Sequence, residues 1–438
     1  MQWYWYTQIG GRYASTAFLS TLPIWYSLPA FRLVAFADLL FLPICTFVLI
    51  RSITNWRTAL WLTNLVFLLY LHQLTNVFDS LLRFTCMPIY HGGFMGGALT
   101  IAGLWRYTRT GKRAPLWLAL IPAVYTIGSN EISLVHLLLG VGMLVLTASP
   151  DRRKPLYAVL GLLLILAAIA LLAPGNFNRA EAFGPRASLL ETAGLSVATT
   201  GFLWGRWLGD SLLLPGLLLT ALYGLAFPNR LPKLQQPRWW LFALVILTPL
   251  SLFPLLWGTA GQSLAERIVD LLFLANTLLA FGLLLAWLPP MPETRGQALQ
   301  RPLLYGCYAL ALFIILHTFA DGLRINRDQR KQANSRLQLI ELDANVGQAW
   351  MQILDGTAQG YKREQSAILE QVRNCQTDTC RVPALQHTDF IGYDPLYDRL
   401  NRSGGEPLMG IAIGNPQVKT VYYQNITPSP QHSKKDRQ

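Results

Sequence analysis

The chain has 438 residues, of which 52% are hydrophobic and only 13% are charged. Soluble domains carry about 25% charged residues, so this composition excludes a soluble multidomain enzyme, and its apolar content excludes a disordered chain. The net charge of +13 would suggest nucleic-acid binding in a soluble protein, but in a membrane protein excess Lys and Arg is typical of cytoplasmic loops. We therefore predict a polytopic membrane protein that does not bind nucleic acid.

The first 30 residues form an aromatic segment. They lack the basic and apolar regions of a signal peptide. Aromatic residues at this density are typical of a membrane–water interface. We predict that residues 1–30 are a loop segment on the outer face of the membrane, containing Trp3, Tyr4, Trp5, Tyr6, Tyr13, Trp25 and Tyr26.

Ten apolar runs follow, and they predict a transmembrane helical domain over residues 31–319. The fourth run is short for a hydrocarbon core of about 30 Å, and Pro122 and Gly128 nearby indicate tilted or broken helices that line a cavity. The runs are Leu33 to Ile50, Ala59 to Leu74, Ile89 to Trp105, Pro115 to Ile127, Ile132 to Ala148, Pro155 to Ala173, Ser211 to Phe227, Trp239 to Trp257, Ile268 to Leu288 and Leu303 to Phe319.

The loops between these runs differ in charge. Alternate loops carry 14 Lys and Arg on one side and only 7 on the other, including the N-terminal segment. The positive-inside rule places the first set in the cytoplasm and both chain ends outside. The region from Ala187 to Gly209 is moderately apolar and broken by glycines, and we interpret it as an interfacial or re-entrant helix on the outer face.

Residues 320–438 have a different composition and predict a small exported domain. A helical pattern runs from about Arg327 to Arg373, and the part after it is rich in Tyr and Gly, which indicates a mixed α/β unit. Cys375 and Cys380 lie in this tail. In an oxidising compartment they would form a disulfide, whereas in the cytosol they would be reduced or bind metal.

Three short motifs resemble those of GT-C-type membrane glycosyltransferases, and most closely those of a poorly characterised bacterial branch of that class. The aromatic stretch ending in Gly10-Gly11-Arg12-Tyr13 resembles the end of the family's first outer loop, and Ala173-Pro174-Gly175-Asn176-Phe177-Asn178-Arg179 resembles its Ala-Pro-Gly-Asn-x-x-Arg loop. The Gly128-Ser129-Asn130-Glu131 turn is similar to its acidic outer turn. The exported C-terminal domain also fits the family.

This sequence departs from the pattern of the family in one respect. The family carries an acidic residue or pair shortly after its first helix, thought to act as a base or a metal contact, whereas here no Asp or Glu precedes Asp38. We expect that a first helix and its acidic loop precede this sequence, and the alternative is an inactive member.

The resemblance implies transfer of a sugar from a polyprenyl-phosphate donor to an acceptor, at the outer face of a bacterial cytoplasmic membrane. Such transfer needs a carboxylate base for the acceptor hydroxyl and cations for the leaving phosphate, and a divalent metal ion is a further option. The candidates are Glu131 and His91 for catalysis, and Arg179, Asn176, Arg83 and Arg12 for substrate and phosphate binding.

Each candidate also has a structural interpretation. Glu131 is a base, an orienting carboxylate or a solvated loop acid, and Arg179 binds phosphate or a lipid headgroup. Asp38 and Asp270 fall within or beside apolar runs, where a carboxylate is expected to have a partner. A transporter or lipid flippase, and a non-catalytic scaffold subunit, remain the alternative functions.

Overall fold

The computed structural model describes residues 2–4, 6–7, 10–21, 28–74, 87–182, 187–209, 211–227, 237–259, 264–288, 301–302, 304–313, 316, 356–376, 379–383, 406–407 and 420–424. It is mostly helical. The helices are α1 Gln2–Tyr4, α2 Tyr13–Thr21, α3 Leu28–Ile53, α4 Trp56–Gln73, a π-helical turn Met87–His91, α5 Gly92–Thr110, α6 Arg113–Ile127, α7 Glu131–Thr147, α8 Pro150–Leu171, α9 Pro174–Ala182, α10 Leu189–Gly209, α11 Leu213–Ala226, α12 Pro237–Gly258, α13 Glu266–Trp287, α14 Leu304–Phe313 and α15 Thr357–Arg373.

Every apolar run predicted from the sequence coincides with a helix, the last of them only in part. Within the described residues, four helices are long and apolar enough to cross a membrane: residues Phe36–Ile53 of α3, α8, α12 and Arg267–Trp287 of α13. A fifth span results if α10 and α11 are counted as one span bent by 68°. The mostly helical character is therefore confirmed, and the apolar helices are consistent with a membrane protein. The count of ten spans is not confirmed, because helices such as α6 and α7 are shorter.

Helix α5 lies at the centre of the first half of the bundle and packs against α3, α6 and α7. The α5–α6 hairpin turns at Gly111, whose φ of 71° lies in the left-handed region that favours glycine. The two helices approach closely at Gly96, where a Cβ atom would lie 2.5 Å from the hydroxyl of Thr126. Close packing of α5 on α6 fixes the position of the π-helical turn that precedes α5.

Residues 1–30 were predicted as a loop, but the described residues include the helix α2, whose N-terminal end contacts the turn before α7. Residues 187–209 were predicted as an interfacial or re-entrant helix, and they contain α10, a helix of 21 residues. With α11 it forms a pair bent by 68°, which is either a broken span or a re-entrant loop. The glycines of α10 do not break it.

In the C-terminal region the described residues form one helix and a small sheet. The strands are β1 Thr379–Pro383, β2 Glu406–Pro407 and β3 Thr420–Gln424, in the order β1-β3-β2, and α15 contacts β1. Strand β1 is parallel to β3, and β2 is antiparallel to it. Only residues 357–373 of the predicted helical pattern at 327–373 lie among the described residues, and they are helical.

Candidate functional site

The site begins at the turn before α7. Asn130 is the N-cap of α7: its Oδ1 accepts hydrogen bonds from the backbone N–H of Ile132 and of Ser133, at 3.1 and 2.8 Å. Its Nδ2 donates to the backbone carbonyl of Ile89, at 2.5 Å. One side chain therefore joins the turn that carries Glu131 to the π-helical turn that carries His91.

The N-terminal segment docks onto the same turn. The backbone N–H of Ala14 donates to the carbonyl of Gly128 at 3.0 Å. The Ser15 hydroxyl donates to the carbonyl of Ser129 at 3.2 Å. Gly11 lies against α8, where a Cβ atom would be only 1.7 Å from the carbonyl oxygen of Ala170. These contacts hold Arg12 beside Glu131.

Arg12 and Glu131 form an ion pair of 3.1 Å, with side chains that are 22% and 14% exposed. The Arg12 guanidinium also lies over the ring of Tyr90, 5.7 Å from its centroid, and Arg267 of α13 lies 5.3 Å from the same centroid. Burial opposes the charged form of Arg12, but Glu131 and Tyr90 together outweigh it and raise the Arg12 pKa above its ordinary value. The solvated-acid interpretation of Glu131 is therefore wrong.

A second set of polar side chains lies deeper, next to the first in sequence. His91 Nδ1 is 2.5 Å from Asp38 Oδ2, and His91 Nε2 is 2.8 Å from the Tyr70 hydroxyl. Asp38, His91 and Tyr70 are only 7%, 3% and 1% exposed. The two ring nitrogens of His91 therefore link the Tyr70 hydroxyl to the Asp38 carboxyl group in one buried chain of hydrogen bonds.

Asp38 and Asp270 were expected to have partners, and His91 is the partner of Asp38. Asp270 of α13 is 1% exposed and lies within electrostatic range of Tyr70. Ionisable side chains within apolar helices are costly unless paired, and they mark functional sites by default. The Asp38–His91–Tyr70 triad is therefore the strongest candidate for chemistry among the described residues.

A groove of about 1500 Å³ adjoins this triad, and Asp38 is one of its lining residues. It is bounded by α2, α3, the π-helical turn, α5 and α6. Its walls are apolar, and two of its lining side chains, Leu118 and Ile121, are 69% and 76% exposed. The groove therefore presents an exposed apolar surface, which is suited to a lipid chain.

The predicted phosphate-binding residues have different outcomes. Asn176 joins the site, because its Oδ1 accepts from the backbone N–H of Gly11 at 3.1 Å, next to Arg12. Arg83 and the side chain of Arg179 lie outside the described residues, so their predicted roles stay predictions. The Ala-Pro-Gly-Asn stretch was predicted as an exposed turn, but Pro174 begins helix α9, and the N–H of Asn176 donates to the carbonyl of Ala173.

The described part of the chain contains no set of side chains that could bind a divalent metal ion. No group of three or more His, Cys, Asp or Glu side chains lies close enough there to hold one. His91 has both ring nitrogens engaged, by Asp38 and by Tyr70. The described residues therefore do not fit a metal site, and no step of the chemistry below uses one.

Cys375 and Cys380 lie in the C-terminal unit, and we expect them to form a disulfide if this unit is exported. Cys375 follows α15 and is half-buried, and Cys380 lies in β1, whose side chains are outside the described residues. Mass spectrometry of freshly prepared protein under non-reducing conditions should find the two linked. Two free thiols would contradict export of this unit.

Three functional residues were not predicted from the sequence as site residues: Tyr70, Tyr90 and Arg267. Tyr70 and Arg267 carry no local signal, since each belongs to an otherwise ordinary apolar helix. In comparisons with protein-family models, curated proteins and solved structures, nothing matches this chain.

Proposed function

We propose that this chain is a membrane glycosyltransferase that moves a sugar from a polyprenyl-phosphate donor to an acceptor hydroxyl at the outer face of a bacterial cytoplasmic membrane. One observation carries the proposal: a buried Asp–His–Tyr triad borders a large apolar groove, beside two guanidinium groups. The motif resemblance supports the same class. Other membrane functions need charged groups in apolar helices, but sugar transfer from a lipid needs a base, a phosphate site and a lipid channel together.

The base in this proposal is Asp38. The acceptor hydroxyl gives its proton to the Asp38 carboxylate while its oxygen attacks the anomeric carbon, and the bond from that carbon to the phosphate oxygen breaks. Polyprenyl phosphate leaves. His91 hydrogen-bonds Asp38 Oδ2 through Nδ1 and orients it, and Tyr70 holds the His91 ring through Nε2. Both act on Asp38 and are positioning residues.

The leaving phosphate needs positive charge close to the base. Arg12 and Arg267 lie over one aromatic ring, and that ring belongs to Tyr90, the residue before His91. Guanidinium groups bind phosphate in a bidentate manner. In this assignment Glu131 orients Arg12 through their ion pair, and the groove holds the prenyl chain of the donor at its Asp38 end.

The test is transfer of a radiolabelled sugar from a polyprenyl-phosphate donor by the purified protein in lipid vesicles. The groove also favours a second candidate, a lipid flippase, because it extends along most of α3 and α5. A parallel measurement of labelled polyprenyl-phosphate flipping in the same vesicles separates the two. Flipping without sugar transfer would overturn the glycosyltransferase proposal.

The orientation of the chain gives a further prediction. Both chain ends are expected outside, because the loops on the other side carry twice as many Lys and Arg. Alkaline phosphatase fused after Gln438 should be active, and green fluorescent protein at the same position should be dark. The reverse pattern would invalidate the topology and the assignment of the site to the outer face.

Arg179 is predicted to hold the donor phosphate together with Arg12. Because a hydrogen bond to a charged group contributes about 1.5–3 kcal/mol, Arg179→Ala should weaken donor binding about tenfold or more. Arg179→Lys keeps the positive charge but loses the planar guanidinium group, so its affinity for the donor should lie between those of the wild type and Arg179→Ala. Binding of a fluorescent polyprenyl phosphate to purified variants measures this, with the exposed Arg57→Ala as control. Unchanged affinity in Arg179→Ala would make this residue a headgroup anchor.

A further inference from the structure

The groove has a second end that the proposed function does not use. From Asp38 it runs along α5, between α3 and α6, towards the ends of α3 and α5. At that end its lining includes Arg51 of α3 and Arg106 and Arg109 of α5. Two hydroxyl side chains, Ser52 and Thr110, lie beside them. The groove is therefore apolar along its length and strongly basic at one end.

The three arginines have solvent-exposed side chains. Arg51 donates to the carbonyl of Thr54 at 2.7 Å, and within the described residues no ion pair joins any of the three to an acid. Three guanidinium groups at the mouth of one groove repel each other unless an anion lies between them. Guanidinium groups bind phosphate in a bidentate manner, and phosphate is the anion that lipid headgroups carry at a membrane surface.

The length of the groove also restricts the ligand. Asp38 and Arg51 are 13 residues apart on α3, which corresponds to about 20 Å along the helix axis. One leaflet contributes about 15 Å to the hydrocarbon core. An acyl chain that starts at the basic end therefore crosses one leaflet within the groove and ends before it reaches Asp38.

We propose that the basic end of this groove binds an anionic phospholipid, with its phosphate at Arg51, Arg106 and Arg109 and an acyl chain along α5. The positive-inside rule places this end at the cytoplasmic leaflet, whose surface is anionic. The donor phosphate of the proposed function lies at the opposite end, so the phospholipid site does not depend on that function.

The test uses purified protein and phosphatidylglycerol, with phosphatidylcholine of the same acyl chains as the neutral-headgroup comparison. Native mass spectrometry counts the lipids retained after detergent exchange. We expect one tightly retained phosphatidylglycerol, and about tenfold weaker retention in the double variant Arg106→Gln/Arg109→Gln. The matched control Arg113→Gln/Lys154→Gln removes two exposed charges near the same helix ends, but neither residue lines the groove. It should retain the lipid as the wild type does.

A variant of the apolar wall tests the acyl-chain part of the proposal without changing charge. Leu99 lines the groove midway along α5 and is 37% exposed, so Leu99→Trp should obstruct the groove and lower phosphatidylglycerol retention as well. Equal retention of the two phospholipids, or an equal loss in the control double variant, would overturn the proposal. Preferential retention of polyprenyl phosphate at the same arginines would overturn it too, because the basic end would then hold the lipid carrier.

Discussion

Replacing Asp38 with Asn should lower sugar transfer by about 10²–10⁴-fold, the range that a positioned general base contributes. Asn keeps the size of the side chain and a hydrogen bond to His91, but it cannot take a proton from the acceptor hydroxyl. The measurement is the initial rate of radiolabelled sugar transfer with saturating donor. Donor binding should stay within about twofold of wild type, because Asp38 does not contact the phosphate in the proposed arrangement.

The matched control is Asp151→Asn, which changes an exposed carboxylate that contacts Ser149 and Arg152 and lies outside the site. It should leave transfer unchanged. Tyr70→Phe tests the positioning role, since it removes the hydroxyl that hydrogen-bonds His91 Nε2 and keeps the aromatic ring. We expect the transfer rate of Tyr70→Phe to fall less than that of Asp38→Asn. We also expect the pH profile of the rate to shift, and a packing defect alone would not shift it. A transfer rate above half of wild type in Asp38→Asn would exclude Asp38 as the base.

The helices could be predicted from the sequence because each apolar run is a local pattern. Helix α2 could not be predicted, since its sequence is short and rich in small and hydroxylated residues. Its long-range hydrogen bonds are with a turn more than 100 residues away, and it also packs against α6 and the π-helical turn. The span count could not be predicted either. Helices α4 and α5 have suitable length, but their polar residues and glycines make them less apolar than α8 or α12.

The sequence identified several members of the site but not their pairing. Arg12, Glu131, His91 and Asn176 were candidates, and Asp38 was expected to have a partner. Asp38 and His91 are 53 residues apart, and Arg12 and Glu131 are 119 apart, so only the packed helices bring them together. The assignment of the base changes as a consequence, because Glu131 is already engaged by Arg12 whereas Asp38 borders the groove.

Breaking the pair of Arg12 and Glu131 should destabilise the protein by about 1.5–3 kcal/mol in either single variant, Arg12→Gln or Glu131→Gln. Each single change leaves one largely buried charge without its ionic partner, at a point where the N-terminal segment, α7 and the π-helical turn meet. The double variant leaves no unpaired charge. The stability that the double variant loses should therefore be smaller than the sum of the stabilities that the two single variants lose, by at least about 0.5 kcal/mol.

Reversible SDS titration in mixed micelles measures the free energy of unfolding of the wild type, the two single variants and the double variant. Asp151 and Arg152 provide the control double-mutant cycle. They also form an ion pair, of 3.0 Å, but their side chains are more exposed, 66% for Asp151 and 33% for Arg152. Water screens such a pair, so its single variants should cost little stability and show little coupling. If the two cycles gave equal coupling energies, burial would not strengthen the Arg12–Glu131 pair. The reason for choosing Asp38 over Glu131 as the base, which is that Arg12 holds Glu131, would then be lost.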